Sequence, residues 1–111
     1  MDVMDRIKQA VEENAVMIFM KGEPKMPMCG FSSQAAQALM SCGKEFGYCN
    51  IIADPEVMAN LPRFADWPTF PQLWIEGELV GGCDIILEMF QQGELQTLVK
   101  EAAERSETEA E

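Results

Sequence analysis

The chain has 111 residues, of which 48% are apolar, and this is enough for one domain with a hydrophobic core. It carries 8 basic and 19 acidic residues, and the net charge of -11 argues against nucleic acid or an anionic membrane as a partner. The absence of histidine excludes Ser-His-Asp triads, Cys-His dyads and histidine-ligated metal sites. Chemistry must therefore rest on cysteine, carboxylate or lysine side chains.

The sequence also predicts the environment of the protein. Its longest apolar run, Ala15 to Met20, is far shorter than the roughly 20 residues that a membrane-spanning helix needs. The acidic start of the chain is unlike a secretory signal. Four cysteines occur, but their spacing matches no disulfide framework of a small secreted protein. We therefore expect reduced thiols and a cytoplasmic protein.

Hydrophobic periodicity predicts five helices and four strands, beginning with a helix that is capped by Asp2. The strand Val16 to Met20 is predicted to be buried, because it is apolar on both faces. A glycine and two prolines break the segment Lys21 to Met28, which predicts an irregular loop. The second helix is expected to begin at Cys29 and to stop at Gly43.

The second half of the chain predicts a strand over Phe46 to Ile52, followed by a helix. Asp54 and Pro55 supply the cap and the first-turn proline of this helix, which is expected to reach about Phe64. The segment Gln72 to Gly81 has the pattern of an antiparallel hairpin with a tight turn.

Two further helices complete the domain. Asp84 is predicted to cap the fourth helix, which Gly93 ends, and the fifth is expected to reach about Arg105. Residues 1–105 are thus predicted to form the domain, and the acidic residues 106–111 a disordered tail. The order α-β-α-β-α-β-β-α-α predicts an α/β protein with a four-stranded mixed sheet and helices on both faces.

Cys29 is the residue best suited to chemistry. It follows the predicted loop and directly precedes a helix. Unpaired backbone N–H groups and the helix dipole at a helix start stabilise a thiolate and lower its pKa. Lys21 and Lys25, two of only 8 basic residues, lie within eight positions of it. The alternative, a small hydrophobic core residue, leaves this arrangement unexplained.

The remaining sulfur-containing residues are predicted to have structural roles. Cys42 and Cys49 are expected to be buried small residues. Met26 and Met28 lie in the loop beside Cys29, where they could cover a ligand, face a partner or make simple loop contacts. The methionines predicted to fill the core are Met17, Met20, Met40, Met58 and Met89.

Three motifs follow one another along the chain and are highly specific together. They are Lys21-Gly22 with Pro24, Pro27 and Cys29-Gly30-Phe31-Ser32, then Trp67-Pro68-Thr69-Phe70-Pro71-Gln72, then Gly81-Gly82-Cys83-Asp84. Over about residues 3–99 the chain resembles the monothiol glutaredoxins of the Cys-Gly-Phe-Ser class, most closely the bacterial single-domain members. The resemblance implies a thioredoxin fold, which agrees with the predicted order of elements.

Two of these motifs also have a physical meaning of their own. Gly81 and Gly82 before a helix let a ligand approach backbone N–H groups, although a hairpin exit with an ordinary aspartate cap is the alternative. Phe70-Pro71 resembles the cis-proline site of this fold, and a proline that starts a strand is compatible with it.

The resemblance further implies a glutathione site. It assigns Lys21 and Arg63 to the glycine carboxylate, the Phe70 backbone to the cysteinyl part, and Cys83 and Asp84 to the γ-glutamyl end. Related sequences often carry an arginine shortly after the Asp-Pro helix start. This chain has Met58 there, so Arg63 is the remaining basic residue for that role.

Ser32 leads to the first functional hypothesis, because it cannot close a disulfide with Cys29 as a cysteine there could. The resemblance implies that glutathione supplies the missing thiol. A [2Fe-2S] cluster takes four thiolates, which two Cys29 side chains and two glutathiones would provide. The resemblance implies a homodimer that bridges this cluster, delivers it to iron–sulfur recipient proteins and forms complexes with BolA-family proteins.

The second hypothesis is a glutathione-dependent thiol-disulfide oxidoreductase that acts through Cys29. A third is a thioredoxin-fold adaptor without a cofactor, which leaves the surroundings of Cys29 unexplained. We favour the cluster carrier, with at most weak oxidoreductase activity, because carriers need only reversible ligation.

Overall fold

The computed structural model describes the backbone of residues 2–110 and the side chains of residues 2–106. The elements are α1 (Val3–Glu13), β1 (Val16–Met20), β2 (Gly22–Glu23), β3 (Met26–Pro27), α2 (Gly30–Ser41), β4 (Gly47–Asn50), α3 (Pro55–Ala65), β5 (Gln72–Ile75), β6 (Glu78–Gly81), α4 (Cys83–Gln91) and α5 (Glu94–Ala110). The five helices and the four strands β1, β4, β5 and β6 confirm the predicted order. The pair β2 and β3 is additional.

The four long strands form one mixed sheet in the order β4-β1-β5-β6. β1 is parallel to β4, with Ile18 opposite Tyr48, and antiparallel to β5, with Ile18 opposite Leu73. β5 and β6 form an antiparallel hairpin, whose turn residues Glu76 and Gly77 both have positive φ, at 52° and 80°. This conformation matches the twist of the two strands.

β1 lies at the centre of the molecule, and its alternate residues face two hydrophobic layers. Val16, Ile18 and Met20 pack with α2, α4 and α5 on one face of the sheet. Met17 and Phe19 pack with α1 and α3 on the other face. No residue of β1 is more than 4% exposed. The strand is therefore buried on both faces, as its apolar sequence predicts.

Most helix starts follow the predicted capping chemistry. Asp2 accepts a hydrogen bond from the Met4 N–H at 2.6 Å, and Asp54 accepts one from the Val57 N–H at 3.3 Å. The prediction that Asp84 caps α4 is wrong. Gly82 takes the extended conformation that precedes the helix, so α4 begins at Cys83 and Asp84 lies in its first turn.

The prediction of an irregular segment after β1 is also wrong. β2 and β3 form a two-residue ladder, in which Gly22 faces Pro27 and Glu23 faces Met26. The two prolines shorten the hairpin without preventing it, because Pro24 falls in the turn and Pro27 ends the ladder.

Two of the five methionines predicted to lie in the core are on the surface. Met40 is 45% exposed and Met58 is 39% exposed, and each directly follows a buried residue of its helix. A helix turns about 100° from one residue to the next, and at these two positions the turn carries the side chain off the buried face. Met17, Met20 and Met89 pack in the first or second layer as predicted.

The last helix is longer than predicted, because α5 continues past Arg105 to Ala110. Arg105 forms ion pairs with Glu76 in the β5–β6 turn and with Glu101 one turn earlier in α5. The sequence predicts a disordered tail over residues 106–111. The side chains of residues 107–111 lie outside the described part, so this stays a prediction. None of the helices within residues 2–110 is long and apolar enough to cross a membrane.

An ion pair between Arg6 and Asp54 joins α1 to α3. Arg6 Nη1 lies 2.9 Å from Asp54 Oδ2. This hydrogen bond is the main reason that the pKa of Asp54 is lowered, and the Val57 N–H adds to it while partial burial opposes it. Asp54 therefore caps one helix and holds a second.

We predict that Asp54→Ala lowers the free energy of unfolding at pH 7 by about 1 to 2 kcal/mol, because the helix cap is lost. Asp54→Asn should cost less, since asparagine also caps helices. The folded-state pKa of Asp54 lies below its unfolded value of about 3.9, so the charged carboxylate stabilises the folded protein fully above about pH 4. This stabilisation is lost as the pH falls through the folded-state pKa. Urea denaturation should thus show the difference between wild type and Asp54→Asn shrinking between pH 7 and pH 3, and an undiminished difference would contradict this.

Candidate functional site

Cys29 forms the start of α2. Its backbone is extended, with φ -156° and ψ 139°, and its carbonyl accepts the first helical hydrogen bond from the Ser33 N–H at 2.8 Å. No side-chain hydrogen bond caps α2 at this residue. The N–H groups of the first turn therefore face the Cys29 sulfur rather than a capping oxygen.

The site lowers the pKa of the Cys29 thiol. The main cause is the backbone N–H of Ser32, which favours the thiolate form. The Phe31 N–H, the charge of Lys21 and the Ser32 hydroxyl act in the same direction, while burial opposes them. This confirms the helix-terminus argument made from the sequence. Of the two nearby lysines, Lys21 acts on the thiol, and Lys25 lies exposed in the β2–β3 turn.

Ser32 does more than replace a second thiol. The residue is fully buried, and its hydroxyl accepts a hydrogen bond from the Lys21 N–H at 3.0 Å. The Lys21 carbonyl in turn accepts one from the Met28 N–H at 2.9 Å. Ser32 thus joins α2 to the start of the hairpin. The sequence carries no signal for this contact, which depends on two segments meeting in space.

The surface around Cys29 is apolar. Among the side chains of residues 2–106, the three most exposed large hydrophobic ones are Met26, Met28 and Phe31, at 71%, 63% and 63%. They belong to β3, to the residue before Cys29 and to the first turn of α2. A ligand or partner that approaches the Cys29 sulfur therefore meets apolar side chains on the same surface.

A second part of the site is the loop before β5. The Phe70–Pro71 peptide bond is cis and directly precedes β5, so both features predicted for Pro71 are present. The buried Gln72 holds this loop, because its amide nitrogen donates to the carbonyls of Trp67 at 3.1 Å and Thr69 at 3.2 Å. Sequence reasoning placed Gln72 in a motif but missed this role.

The third part is the start of α4, which packs against this loop. A Cβ on Gly82 would lie 3.4 Å from the Pro71 carbonyl oxygen, which shows how closely the two segments pack. Cys83 is buried, and its thiol donates to Gln34 Oε1 of α2 at 3.6 Å. Burial is the main cause that raises the pKa of Cys83, and the charges of Asp84 and Cys29 add to it. Cys83 therefore lies beside Cys29, with its proton retained.

Not every residue implied by the resemblance joins this cluster. Arg63 is exposed on α3 and donates to Asn60 Oδ1 at 3.2 Å. No interaction described among residues 2–106 connects it to Cys29 or Lys21. The Phe70 side chain packs into the hydrophobic layer of α1 and α3, and Asp84 is exposed in the first turn of α4.

The other cysteines differ from Cys29. Burial raises the pKa of both Cys42 and Cys49. The two residues pack against the hydrophobic layers but are only partly buried, so the prediction of buried positions is met in part. All four cysteines are free. Within the described residues, no three Cys, Asp or Glu side chains are grouped closely enough to share a metal ion.

We predict that Cys29 reacts as a thiolate below the free-cysteine pKa of about 8.5. The rate of alkylation of Cys29 against pH, followed by peptide mass spectrometry, should show this lower inflection, because backbone N–H groups stabilise the anion. Lys21→Met should move the inflection upward. An inflection at or above the free value, or faster labelling of Cys42 or Cys49, would contradict the assignment.

Comparison with known proteins gives the same family. Residues 16–80 match the glutaredoxin family model. Glutaredoxin 4 of Haemophilus ducreyi is 58% identical over 103 residues, which cover 93% of this chain and 96% of the relative. A solution structure of reduced poplar apo GrxS14 superimposes with a TM-score of 0.75 at 41% identity, covering 88% of this chain and 90% of that one.

A more distant structure shares the fold alone. The crystal structure of a buckwheat glutaredoxin–glutathione complex has a TM-score of 0.78 at 22% identity, over 90% of this chain and 89% of that one. Together with the four-stranded mixed sheet, these superpositions confirm the thioredoxin fold. The family model, the bacterial relative and the Cys29 to Ser32 motif agree, so this chain belongs to the glutaredoxin family, as a monothiol member of the bacterial single-domain type.

Proposed function

We propose that this glutaredoxin binds glutathione and carries a [2Fe-2S] cluster bridged between two protomers, which it transfers to recipient proteins in iron–sulfur cluster assembly. The observation that carries the proposal is the start of α2. Cys29 presents one stabilised thiolate there, and the position of a second thiol is taken by the buried hydroxyl of Ser32. Any further thiolate must come from another molecule.

Glutathione fits the groups that surround Cys29. The tripeptide has two carboxylates and one ammonium, which need partners of opposite charge or backbone N–H groups. In this proposal Lys21 binds the glycine carboxylate, and the start of α4 with Asp84 receives the γ-glutamyl end. The backbone at Phe70, beside the cis peptide bond, faces the cysteinyl part. The buckwheat protein of the same fold was solved with glutathione, which supports this choice of ligand.

Arg63 is the least supported member of the proposed glutathione site. Its guanidinium is held by Asn60 and has to leave that contact to reach a ligand. Met58, which occupies the position where related sequences often have arginine, is 39% exposed on the same helix. We therefore assign the glycine carboxylate chiefly to Lys21.

The cluster is the cargo in this proposal, and thiolate chemistry suits it. Iron–sulfur clusters take thiolate ligands, and a serine hydroxyl is a poor substitute. Cys42, Cys49 and Cys83 all have raised thiol pKa values, which disfavours them as ligands. Cys29 of each protomer and two glutathione thiolates then complete the set of four. The apolar surface of Met26, Met28 and Phe31 is suited to a contact between protomers or with a BolA-family partner.

A second function is favoured by the same lowered pKa. As an oxidoreductase, Cys29 would attack the glutathione sulfur of a protein–glutathione mixed disulfide and release the protein thiolate. A second glutathione would then attack the Cys29-bound sulfur, releasing oxidised glutathione and restoring the Cys29 thiolate. Both functions need a reducing compartment, and we place the protein in the cytoplasm on that ground.

The proposal predicts that Lys21→Ala weakens glutathione binding by about 1 to 3 kcal/mol, because a charge-assisted hydrogen bond is lost. Asp84→Ala should also weaken it. Isothermal titration calorimetry measures both effects. Lys100→Ala and Asp5→Ala remove the same charges from exposed positions on α5 and α1 and should bind like wild type. Unchanged affinity in both Lys21→Ala and Asp84→Ala would remove these residues from the site.

The cluster proposal predicts a brown dimer after anaerobic reconstitution with iron, sulfide and glutathione. Chelation should return a colourless protein with a weaker dimer, because bridging thiolates hold the interface. Cys29→Ser should abolish the visible absorption, whereas Cys42→Ser and Cys49→Ser should retain it. Absorption spectroscopy and size-exclusion chromatography make the measurement.

Two outcomes would reject the carrier. One is a full cluster in Cys29→Ser, and the other is equal cluster formation in a monomer without added thiol. A colourless wild type that reduces glutathione mixed disulfides would instead favour the oxidoreductase.

A further inference from the structure

The polar side chains at the end of β4 hold the β2–β3 hairpin, and the proposed function gives them no role. Asn50 Oδ1 accepts a hydrogen bond from the Gly22 N–H at 3.0 Å and a second from the Ile52 N–H at 3.0 Å. One oxygen atom therefore joins the hairpin, β4 and the turn that leads into α3. A further contact, from the Tyr48 hydroxyl to Glu23 Oε1 at 2.6 Å, ties the exposed side of the hairpin to the same strand.

The Gly22 N–H depends on this oxygen. Gly22 is buried, and a buried N–H requires a hydrogen-bond partner in the protein. Its φ of +92° and its packing exclude a side chain, because a Cβ would lie 2.6 Å from the Met26 carbonyl oxygen and from the Met28 nitrogen. The chain is thus constrained at Gly22 by both conformation and space, and Asn50 supplies the matching acceptor.

The peptide group held by Asn50 is the one that follows Lys21. Its carbonyl oxygen, that of Lys21, accepts from the Met28 N–H, while its N–H, that of Gly22, donates to Asn50. The Lys21 N–H on the other side donates to Ser32 Oγ. The Lys21 backbone is therefore fixed by α2, by the hairpin and by β4, and Lys21 is the residue to which the proposed function assigns the glycine carboxylate.

We propose that Asn50 is a positioning residue of this site: by holding the Gly22 N–H, it fixes the backbone from which the Lys21 side chain meets an incoming carboxylate. The ligand part of the proposal rests on the proposed glutathione function. Its structural part does not, because the hydrogen bonds of the Gly22 N–H and the Lys21 N–H are made within the chain. Tyr48 supports the same hairpin through Glu23.

The test is Asn50→Ala, followed by two measurements. Exchange of the Gly22 amide, observed by NMR, should become faster, because its acceptor is gone. Glutathione affinity, measured by calorimetry, should fall about three- to tenfold, the effect expected when the hydrogen bond from Lys21 to the ligand carboxylate is weakened.

Asn14→Ala is the matched control. Asn14 lies at the opposite end of β4, where a Cβ on Gly47 would be 2.5 Å from its side-chain oxygen, and its amide donates to the Ala10 carbonyl. The substitution removes an asparagine next to the same strand but at the end remote from Gly22. We expect its Gly22 amide exchange and its glutathione affinity to match wild type.

A double-mutant cycle separates positioning from general loosening of the structure. If Asn50 acts through Lys21, adding Asn50→Ala to Lys21→Ala should cost no further glutathione affinity. An equal loss of affinity with and without Lys21 would overturn the proposal. Asn50→Asp keeps acceptor oxygens of the same shape and should retain the protection of the Gly22 amide.

Tyr48→Phe weakens the support of the hairpin from an exposed position and should lower glutathione affinity by a smaller factor than Asn50→Ala. Unchanged glutathione affinity in folded Asn50→Ala would overturn the proposal. A wild-type protein that binds no glutathione would reject the proposed function instead, and the Gly22 exchange would still decide whether Asn50 holds the hairpin.

Discussion

The first N–H groups of α2 have no carbonyl partners within the helix, and the sulfur of Cys29 faces them. This is the interaction on which the site depends, because it makes Cys29 the one thiol of four whose pKa is lowered. The remaining structure brings other groups to that point. β1 leads directly into the β2–β3 hairpin, and the Ser32 hydroxyl accepts a hydrogen bond from the Lys21 N–H. The start of α4 packs beside the start of α2.

The charge distribution fits the same constraint. A chain with a net charge of -11 repels anions over most of its surface, so an anionic ligand needs a local region that attracts negative charge. Backbone N–H groups at two helix starts provide it without adding side-chain charge, and Lys21 adds one cation beside the sulfur. The buried neutral thiol of Cys83 adds no negative charge there. Small anions with a thiol are thus the ligands to which this surface is suited.

Local patterns in the sequence predicted much of the fold. The double-sided burial of β1 and the caps Asp2 and Asp54 all follow from interactions between residues close in sequence. The errors have a common cause. Gly82 starts α4 ahead of Asp84, and Met58 faces outward, because neighbouring segments decide which of several locally acceptable positions is used. The β2–β3 hairpin was missed for the same reason, since β4 supports it.

The sequence by itself determined the type of chemistry and the family motif. Without histidine and with Ser32 in place of a second thiol, only a single thiolate at Cys29 remained. Only the tertiary structure decided which contacts hold the groups around that thiolate: the Ser32 hydroxyl on the Lys21 N–H, Gln34 on the Cys83 thiol, and Asn50 on the Gly22 N–H. Hydrogen bonds and charge interactions depend on distance in space, and the bonds that set this site join residues 11 and 28 positions apart in the chain.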